Sequence, residues 1–546
     1  MHRVRGRGFF LVAAVAWAAM VVGLPSVQPK TLLAATPTTG ASGLAAGGTS
    51  AGASSSVTAP AVPTAAAANG RASAPPPNAA AFGVARSGVE CRPGVRQIPD
   101  STYAPQCVAK FSGDNGGATA NGVSATTIKL ADRYLAASVI SGGGPPPAKQ
   151  LSVINTFLKY FNDTFELYGR HVEVEEYQSP HGDALAEATN KGRDAACEDA
   201  IALAQEHHDF GVVYSQALPF EDCAAQNHLV VFDAEGRATE SFLAARDPYL
   251  WTFEQECDRV AYSMLEYAGK RLLNRPATWA GEADYRTRRR KFGVMIPDTP
   301  ELQPCLAIVT RGLAQQYGVT DVQEFDYQAD PSSLSDQTAR AAIKFKAAGV
   351  TTIVMGTDPY TFQFMTQSAH NQNWFPEWIN IGVSGDDTDD AGQTYDQTEV
   401  DGHMFGRTEY LPDAFYGSPN SEAARLYRKL TGKPFPSGVG DGGYRLLLEV
   451  FTMLQQAGPN LTPAAIGAAN RAAPIKRGEY GVYSFQFNPD GSPGFSHGSM
   501  LDANELWWDG SRTGVNGKRG TFLYNSQRYL PGQWPSTPPD VYPGRP

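Results

Sequence analysis

The chain has 546 residues, which is long enough for two or three domains. Its 55 acidic and 45 basic side chains give a formal net charge of −10. This acidic balance argues against nucleic acids and anionic membrane surfaces as partners, because both carry negative charge themselves.

The N-terminal segment has the pattern of an export signal. A basic stretch, His2–Arg7, precedes the apolar run Phe9–Leu24. That run is short for a membrane span and is typical of the hydrophobic region of a signal peptide. We therefore predict that residues 1–35 are a signal peptide, with an uncleaved N-terminal anchor as the alternative. The protein is then exported: extracytoplasmic, and either associated with the cell envelope or secreted.

A low-complexity linker and a lead-in follow the signal. Residues 36–89 are almost entirely Ala, Ser, Gly, Pro, Thr and Val, and the first acidic residue is Glu90. Such a segment has too little apolar bulk to offset its ordering entropy, so it is predicted to be a disordered linker. Residues 90–127 are rich in Pro and Gly and are predicted to be a lead-in held by a disulfide between Cys91 and Cys107.

From Ile128 to Gly458 a unit recurs that consists of a short apolar strand, a polar loop and an amphipathic helix. Strands that alternate with helices predict parallel sheets with helices on both faces. Such sheets bind ligands beyond the carboxyl ends of their strands. The predicted strands are Ile128–Leu130, His171–Tyr177, Phe210–Tyr214, Leu229–Phe232, Lys291–Met295, Thr351–Met355 and Trp378–Ile381.

The C-terminal part changes character after a strongly amphipathic helix predicted over residues 442–457. The alternating segment Gly481–Phe487 and the segment Asn504–Trp508 predict an antiparallel hairpin. Residues 511–546 form a tail rich in Pro and Gly, which we expect to wrap the surface.

The six cysteines are even in number, which favours disulfides in an exported chain. Proximity in sequence favours three pairs, while the other pairings that six cysteines allow stay open. No pair has the Cys-x-x-Cys spacing of a zinc or redox site, so we expect no metal site. We expect no cofactor either. The favoured pairs are Cys91–Cys107, Cys197–Cys223 and Cys257–Cys305.

Three local patterns, in their order along the chain, resemble type I periplasmic binding proteins of the branched-chain amino acid, amide and urea class. The first is the strand and loop Val350–Pro359, and the second is Asn373–Trp378, which leads into the next strand. The third is Gly478–Phe485, which an Asn-Pro-Asp-Gly turn follows. The lead-in is similar to that of an actinobacterial branch, and the spacing of Cys197 and Cys223 is similar to that of a disulfide in the family.

The resemblance covers about Ile128–Trp508 and implies a leucine-binding-protein-like α/β fold. Two Rossmann-like lobes with parallel sheets would be joined by three hinge crossings and would close on a ligand. Lobe one is then 128–250 plus 384–478, and lobe two is 251–383 plus 479–510. The crossings are placed near Tyr249–Gln255, Ile381–Asp387 and Gly478–Tyr483.

The implied function is that of the substrate-binding component of an ABC importer. Such a protein captures a small polar or amino-acid-like solute, such as an amino acid or amide, and delivers it to the transporter's permease. We expect a monomer and no enzymatic activity. A ligand-sensing receptor module of the same fold is the alternative, followed by a secreted α/β enzyme.

The family binds its ligands through loops that follow strands in both lobes. For Ser215 the competing interpretation is an ordinary helix-start cap, and for the loop acids it is solvation. The charged loop Asp233–Thr239 departs from the small and hydroxylated residues usual in the family. The candidate ligand-binding residues are Ser215, Gln216, Ala234, Glu235, Phe253, Gln255, Asp298, Thr299, Thr357 and Asp358.

Other motifs favour ordinary structural roles. The acidic run Asp386–Asp390 lacks the spacing of a calcium loop, so we expect a solvated loop. His207–Asp209 has no partner at helical spacing and indicates a helix end. Gly494–Gly498 matches Gly-x-Ser-x-Gly in a hairpin loop, and Gly438–Gly443 matches Gly-x-Gly-x-x-Gly without a preceding strand. Neither context suits catalysis or dinucleotide binding, so we predict no catalytic residues.

Overall fold

The protein is described by a computed structural model. The predicted signal peptide, residues 1–35, and the linker up to residue 81 lie outside its described residues. Within the part of the chain that it describes, no helix has the length and apolar character needed to span a membrane. The described residues are 82–135, 148–183, 186–187, 191–215, 217–234, 238–299, 302–409, 420–437, 439–474, 484, 486–487, 497–514 and 516–543.

The lead-in begins with a short antiparallel pair, β1 (Gly83–Val84) and β2 (Glu90–Cys91). The disulfide Cys91–Cys107 holds this pair against the segment that follows, and both sulfurs belong to a small apolar cluster. Gln97, whose side chain is buried, donates a hydrogen bond of 2.6 Å to the carbonyl of Thr164. The lead-in is therefore packed against the first lobe.

The first lobe contains a parallel sheet of four described strands in the order β4-β3-β5-β6. All three pairings are parallel, as the alternation of strands and helices predicts. The strands are β3 (Thr127–Tyr134), β4 (His171–Gln178), β5 (Gly211–Val212) and β6 (Val230–Val231). Among them run the helices α1 (Ala148–Thr164), α2 (Arg193–Gln205) and α3 (Leu218–Gln226), and α4 (Glu240–Ala244) follows β6.

The second lobe contains a sheet of seven described strands in the order β13-β12-β11-β10-β9-β7-β8. The five strands β7, β8, β9, β10 and β11 are parallel, whereas β12 and β13 add antiparallel strands at one edge. These strands are β7 (Phe292–Pro297), β8 (Gln323–Tyr327), β9 (Thr352–Met355), β10 (Glu377–Asn380), β11 (Met404–Thr408), β12 (Ala503–Thr513) and β13 (Arg519–Tyr529).

Helices cover both sheets. Helix α5 (Cys257–Tyr267) continues into a π-helical turn at Ala268–Leu272, and the predicted helix at residues 442–457 is α12 (Gly442–Ala457). Helix α12 lies in the first lobe, where it packs against α1. The remaining helices are α5 (Cys257–Tyr267), α6 (Gln303–Tyr317), α7 (Leu334–Ala347), α8 (Pro359–Asn371), α9 (Asp389–Gly392), α10 (Gln397–Val400), α11 (Glu422–Thr431), α12 (Gly442–Ala457) and α13 (Pro463–Ala472).

Each lobe has an apolar layer on both faces of its sheet. In the first lobe, Phe157, Phe161 and Phe451 pack on one face, and Leu203 and Phe220 pack on the other. In the second lobe, one layer is rich in aromatic residues such as Trp374 and Trp378, and the other includes Leu265 and Leu313. These layers explain the near-continuous apolar sequences of the central strands, because a strand with helices on both sides has no solvent face.

Three disulfides are present, and they join the pairs that sequence proximity favours. Cys197–Cys223 links the successive crossover helices α2 and α3. Cys257–Cys305 links the first residue of α5 to the first turn of α6. Each of these two bridges therefore fastens two neighbouring helices of one lobe.

The sequence prediction of the C-terminal hairpin is wrong in its partners. Residues 504–508 lie in β12, which pairs with β11 and β13. The short pairing that does involve the predicted first strand joins Gln486 N to Ser499 O and Leu501 N to Ser484 O. The apolar pattern of 504–508 reflects burial inside the second sheet, because β12 has β11 on one side and β13 on the other. Gly481–Tyr483 lies outside the described residues.

The tail is not a surface wrap along its whole length, because β13 falls within it and completes the edge of the second sheet. Trp534, Val541 and Tyr542 beyond β13 are buried in the core of the same lobe. The division of the chain into lobes at the sequence-predicted boundaries stays a prediction. Strand pairing, however, places β11, which the prediction assigned to lobe one, next to β10 in the second sheet.

Candidate functional site

Two of the chain crossings between the sheets run side by side. Thr252 donates from its backbone N to the carbonyl of His497 (2.9 Å) and accepts at its own carbonyl from Ser499 N (3.0 Å). Thr252 is fully buried, so these bonds lie away from water. The segment that leaves the first lobe after β6 and the segment that precedes β12 therefore form one paired connection.

In the first lobe, the structure brings Ser215 and Ala234 together at the carboxyl ends of β5 and β6. Ser215 N donates to the carbonyl of Asp233 (2.9 Å), and Ala234 N donates to the carbonyl of Trp251 (2.7 Å). The Ser215 hydroxyl accepts from Ala217 N at 3.3 Å, just before α3 begins. Both residues are buried. The predicted residues Gln216 and Glu235 lie outside the described residues.

In the second lobe, Thr357 and Asp358 follow β9. Asp358 caps α8, since its carboxylate accepts from Thr361 N (3.0 Å) and from the Thr361 hydroxyl (2.7 Å). It also accepts from the Tyr327 hydroxyl at 2.9 Å. The neighbouring Thr357 is 2% exposed, and its hydroxyl makes no hydrogen bond to any described residue. Asp358 thus has a structural role already, whereas Thr357 presents an unused polar group.

The predicted residues Asp298 and Thr299 follow β7 on the same edge. Asp298 N donates to the carbonyl of Tyr327 at 2.6 Å, while its side chain is exposed. The carbonyl of Thr299 accepts from Leu302 N and Gln303 N at the start of α6. These two residues therefore lie at the rim of the strand ends, next to β8 and away from β10 and β11.

The first crossing carries Phe253 and Gln255. Phe253 N donates to the Asp233 carboxylate at 2.9 Å, which ties the crossing to the end of β6. Gln255 is 1% exposed. Its backbone N donates to Glu409 (2.8 Å) and its Nε2 donates to the carbonyl of Asp502 (3.0 Å). Gln255 is consequently a positioning residue that joins this crossing to the end of β11 and to the start of β12.

The sequence reasoning missed a cluster of buried charged residues at the ends of β10 and β11. Asp386, Asp387, Arg407 and Glu409 are each no more than 3% exposed. The expectation that Asp386–Asp390 is a solvated loop is wrong for Asp386, Asp387 and Asp389, because the chain after β10 folds back over the sheet edge. The signal that could have found them is an acidic run that only four residues separate from the buried strand Trp378–Ile381.

Glycine makes this fold-back geometrically feasible. Gly382 has φ +68°, and a Cβ atom there would lie 2.7 Å from the Cα of Thr408. Only glycine fits both the left-handed backbone and this close approach. Asn380 fixes the turn from the other side, since its Nδ2 donates to the carbonyl of Asp386 (3.0 Å) and its Oδ1 accepts from Gly382 N (2.7 Å).

Burial governs the electrostatics of this cluster. It raises the pKa of Asp386 well above the usual range, with the adjacent Asp387 adding to the effect, and it also raises the pKa of Asp387. Burial raises the pKa of Glu409 to about 7, although the nearby Arg407 works in the opposite direction. Burial lowers the pKa of Arg407 to about 10. Acidic groups outnumber the one arginine among these four residues.

Several polar atoms of this edge are buried with no hydrogen-bond partner among the described residues. They are Thr357 Oγ1, Asp386 Oδ2, Asp387 Oδ1 and Arg407 Nε. Buried polar atoms are normally paired, so such a concentration calls for a specific explanation. All four atoms belong to residues at or beyond the carboxyl ends of β9, β10 and β11, which is where open α/β sheets bind ligands.

Comparisons with known proteins show the fold. Comparison of the chain with protein-family models gives no match, and comparison with curated proteins gives none. Among solved structures, it is similar to a fatty acid ABC transporter substrate-binding protein from Thermomonospora curvata, at 15% identity and a TM-score of 0.53. That match covers 78% of this chain and 97% of the other.

It is also similar to a leucine-, isoleucine-, valine-, threonine- and alanine-binding protein from Brucella ovis in a closed conformation. Here the identity is 14%, the TM-score is 0.50, and the match covers 76% of this chain and 97% of the other. Identities this low establish the fold alone. The sequence prediction of a two-lobed α/β fold of the periplasmic-binding-protein type is confirmed.

Proposed function

We propose that this protein is the extracytoplasmic solute-binding component of an ABC importer. The observation that carries the proposal is a set of buried polar atoms at the carboxyl ends of β9, β10 and β11 that have no partner among the described residues, in a fold shared with substrate-binding proteins. A solute held between the lobes stabilises their closed arrangement by touching both at once. The partners are then the solute and a membrane permease, and the protein acts as a monomer.

The charge of the site indicates which solutes fit. Three buried carboxyl groups, those of Asp386, Asp387 and Glu409, lie near Arg407 at the ends of β10 and β11. Arg528 of β13 also donates to the carbonyl of Glu409, but its charge is paired with Asp502. The carbonyl oxygens of the three carboxyl groups accept hydrogen bonds, and an ammonium group beside them favours the ionised form that burial otherwise disfavours. We therefore place an amino-acid-like or amide solute ahead of a fatty acid, with its nitrogen towards Asp387 and the Thr357 hydroxyl.

On the first-lobe side, the proposed contacts are Ser215, Gln216, Ala234 and Glu235. Ser215 and Ala234 are adjacent at the ends of β5 and β6. Phe253 lies at the crossing between this edge and the second lobe, so its ring would border the solute. Asp298, Thr299 and Asp358 contribute at the rim of the second-lobe edge. Gln255 acts through Arg407 and Glu409, which it positions.

A thermal-shift screen of the full chain against amino acids, amides, ureas, aromatic acids and fatty acids tests the proposal. A solute at about 100 times its Kd adds roughly 2.7 kcal/mol to the free energy of unfolding, which gives a clear shift in Tm. Each hit is compared with its deaminated analogue, such as leucine with 4-methylpentanoate. Mass spectrometry must recover the solute unchanged.

A hit that is chemically altered would indicate an enzyme and would reject a binding-only role. A fatty acid that binds while every amino acid and amide fails would reject the solute class but keep the binding role. No shift with any member of the panel would count against the proposal as a whole.

A further inference from the structure

A second cluster of polar residues lies in the first lobe, away from the carboxyl ends of β5 and β6 where the proposed solute site is. Asp209 lies two residues before β5, whereas Ser215 follows that strand. Glu175 comes from β4, and His207 comes from the loop between α2 and β5. Each of these three residues offers a ligand atom, and the three atoms lie within 4.8 Å of one another.

The chemistry of the three groups is that of metal ligands. The imidazole Nδ1 of His207 lies 2.7 Å from Glu175 Oε1. Asp209 is 1% exposed, and its Oδ2 has no hydrogen-bond partner among the described residues. Two carboxyl groups this close repel each other when both are ionised, and a divalent cation between them removes that repulsion. An unpartnered buried carboxylate oxygen next to an imidazole is what such a cation would use.

The surroundings also favour a cation. Helix α2 ends at Gln205, two residues before His207, and the C-terminal end of a helix carries partial negative charge. Lys129 is the basic residue nearby, where its Nζ donates to the carbonyl of His207 at 3.2 Å. The side chains of His207 and Glu175 are 36% and 41% exposed, so an ion can enter from solvent and keep bound water.

We propose that Glu175, His207 and Asp209 bind one divalent cation of the zinc type. A single imidazole with two carboxylates suits Zn²⁺, which binds His nitrogen and Asp or Glu oxygen and completes its shell with water. The sequence interpretation of His207–Asp209 as a plain helix end is incomplete, because the third ligand, Glu175, is supplied by a strand that precedes α2. The ion would fasten the end of α2 to the edge of the sheet.

The experiment measures Zn²⁺ binding to the full chain after treatment with EDTA. Isothermal titration with Zn²⁺ alone gives affinity and stoichiometry, and X-ray absorption gives the ligand types. We expect one ion per chain, coordinated by one imidazole and by oxygen atoms only. His207→Ala and Glu175→Gln, both at partly exposed side chains, should each weaken binding at least roughly tenfold, as should Asp209→Asn.

His171 provides a matched control. It forms a pair with Glu173 at 2.8 Å on the same strand as Glu175, but the described part of the chain supplies no third ligand to that exposed pair. His171→Ala should therefore bind Zn²⁺ as the unaltered chain does. Equal binding by the unaltered chain and His207→Ala would overturn the proposal, and so would a lack of saturable binding. A shell with more than one imidazole would also overturn it.

Discussion

Arg407 Nη2 donates a hydrogen bond of 2.6 Å to Gln255 Oε1, and both side chains are almost completely buried. The bond joins the end of β11 to the first crossing between the sheets. Arg407 Nη1 also donates to the carbonyl of Ile381 at 2.9 Å, which adds the end of β10. One arginine thus holds together the strand ends that carry the candidate site and the segment on which the lobes are connected.

Gln255→Leu should destabilise the protein by about 2–3 kcal/mol, because a buried charged donor loses its acceptor and the carbonyl of Asp502 loses its donor. Urea unfolding measures the difference. Gln315→Leu, on the exposed side of α6, is the matched control and should stay within about 0.5 kcal/mol of the unaltered chain. Equal effects of the two substitutions would contradict the role assigned to Gln255.

Thr357→Val should weaken solute binding at least about tenfold, because one hydrogen bond to the solute is lost. It should leave the free energy of unfolding unchanged or slightly higher, since the hydroxyl has no partner among the described residues. Titration calorimetry and urea unfolding give the two quantities. A variant that binds the solute as tightly as the unaltered chain would remove Thr357 from the site.

Thr352 lies at the start of β9, the strand that Thr357 follows, and provides a control for the Thr357 substitution. Its hydroxyl donates to the buried Glu377 carboxylate at 2.8 Å, and Glu377 also pairs with Arg290. Thr352→Val should therefore cost about 1.5–3 kcal/mol of stability without changing solute affinity. Urea unfolding and calorimetry check both parts, and a loss of affinity here would mean that strand β9 transmits damage to the site from either end.

Each disulfide should contribute about 3–4 kcal/mol to stability, because the cross-link lowers the conformational entropy of the unfolded chain. The sequence separations are 16, 26 and 48 residues for the three pairs in chain order. Loop-closure entropy then predicts the largest loss for the paired substitution Cys257→Ala with Cys305→Ala. The smallest is predicted for Cys91→Ala with Cys107→Ala, by a margin of about 1 kcal/mol. Guanidinium unfolding of the three double variants tests the order.

Stability should fall as the pH rises through the pKa of His497. Burial alone lowers this pKa, but Glu240 at 2.8 Å and Asp247 at 3.3 Å outweigh burial and raise it overall. A raised pKa in the folded state means that the folded chain holds the proton more tightly. The stabilisation is therefore complete below the unfolded pKa of about 6.5 and is lost as the pH passes the folded value.

Urea unfolding between about pH 5 and pH 9 should show this loss of stability. That range of pH brackets the usual histidine pKa of about 6.5. In His497→Gln it should be reduced, because the titrating group is absent. His208→Gln, at an exposed position outside these contacts, is the control and should retain the full pH dependence. Identical profiles for the unaltered chain and His497→Gln would contradict the assignment.

Much of the fold follows from local patterns, and its exceptions have a physical reason. The seven predicted strands are all present. The apolar runs of strands such as β7 and β9 follow from burial on both faces, whereas the edge strand β4 is half-buried. The missed strands β8, β11 and β13 have mixed sequences, such as Gln323–Tyr327 with its alternating exposure. Edge strands and strands with polar residues at a site lack the apolar signal.

The sequence by itself determined the alternation of strands and helices, the even set of cysteines near one another, and the small polar residues that end each strand. These are local properties, encoded within a few residues of each feature. Only the tertiary structure decided which charged residues are buried and which lie together. Asp387, Arg407 and Gln255 lie close together because the strand order brings distant segments of the chain side by side. Glu175 and Asp209 lie close together for the same reason. The spacing of residues in the sequence does not predict these contacts, because they form only when the strands pair in space.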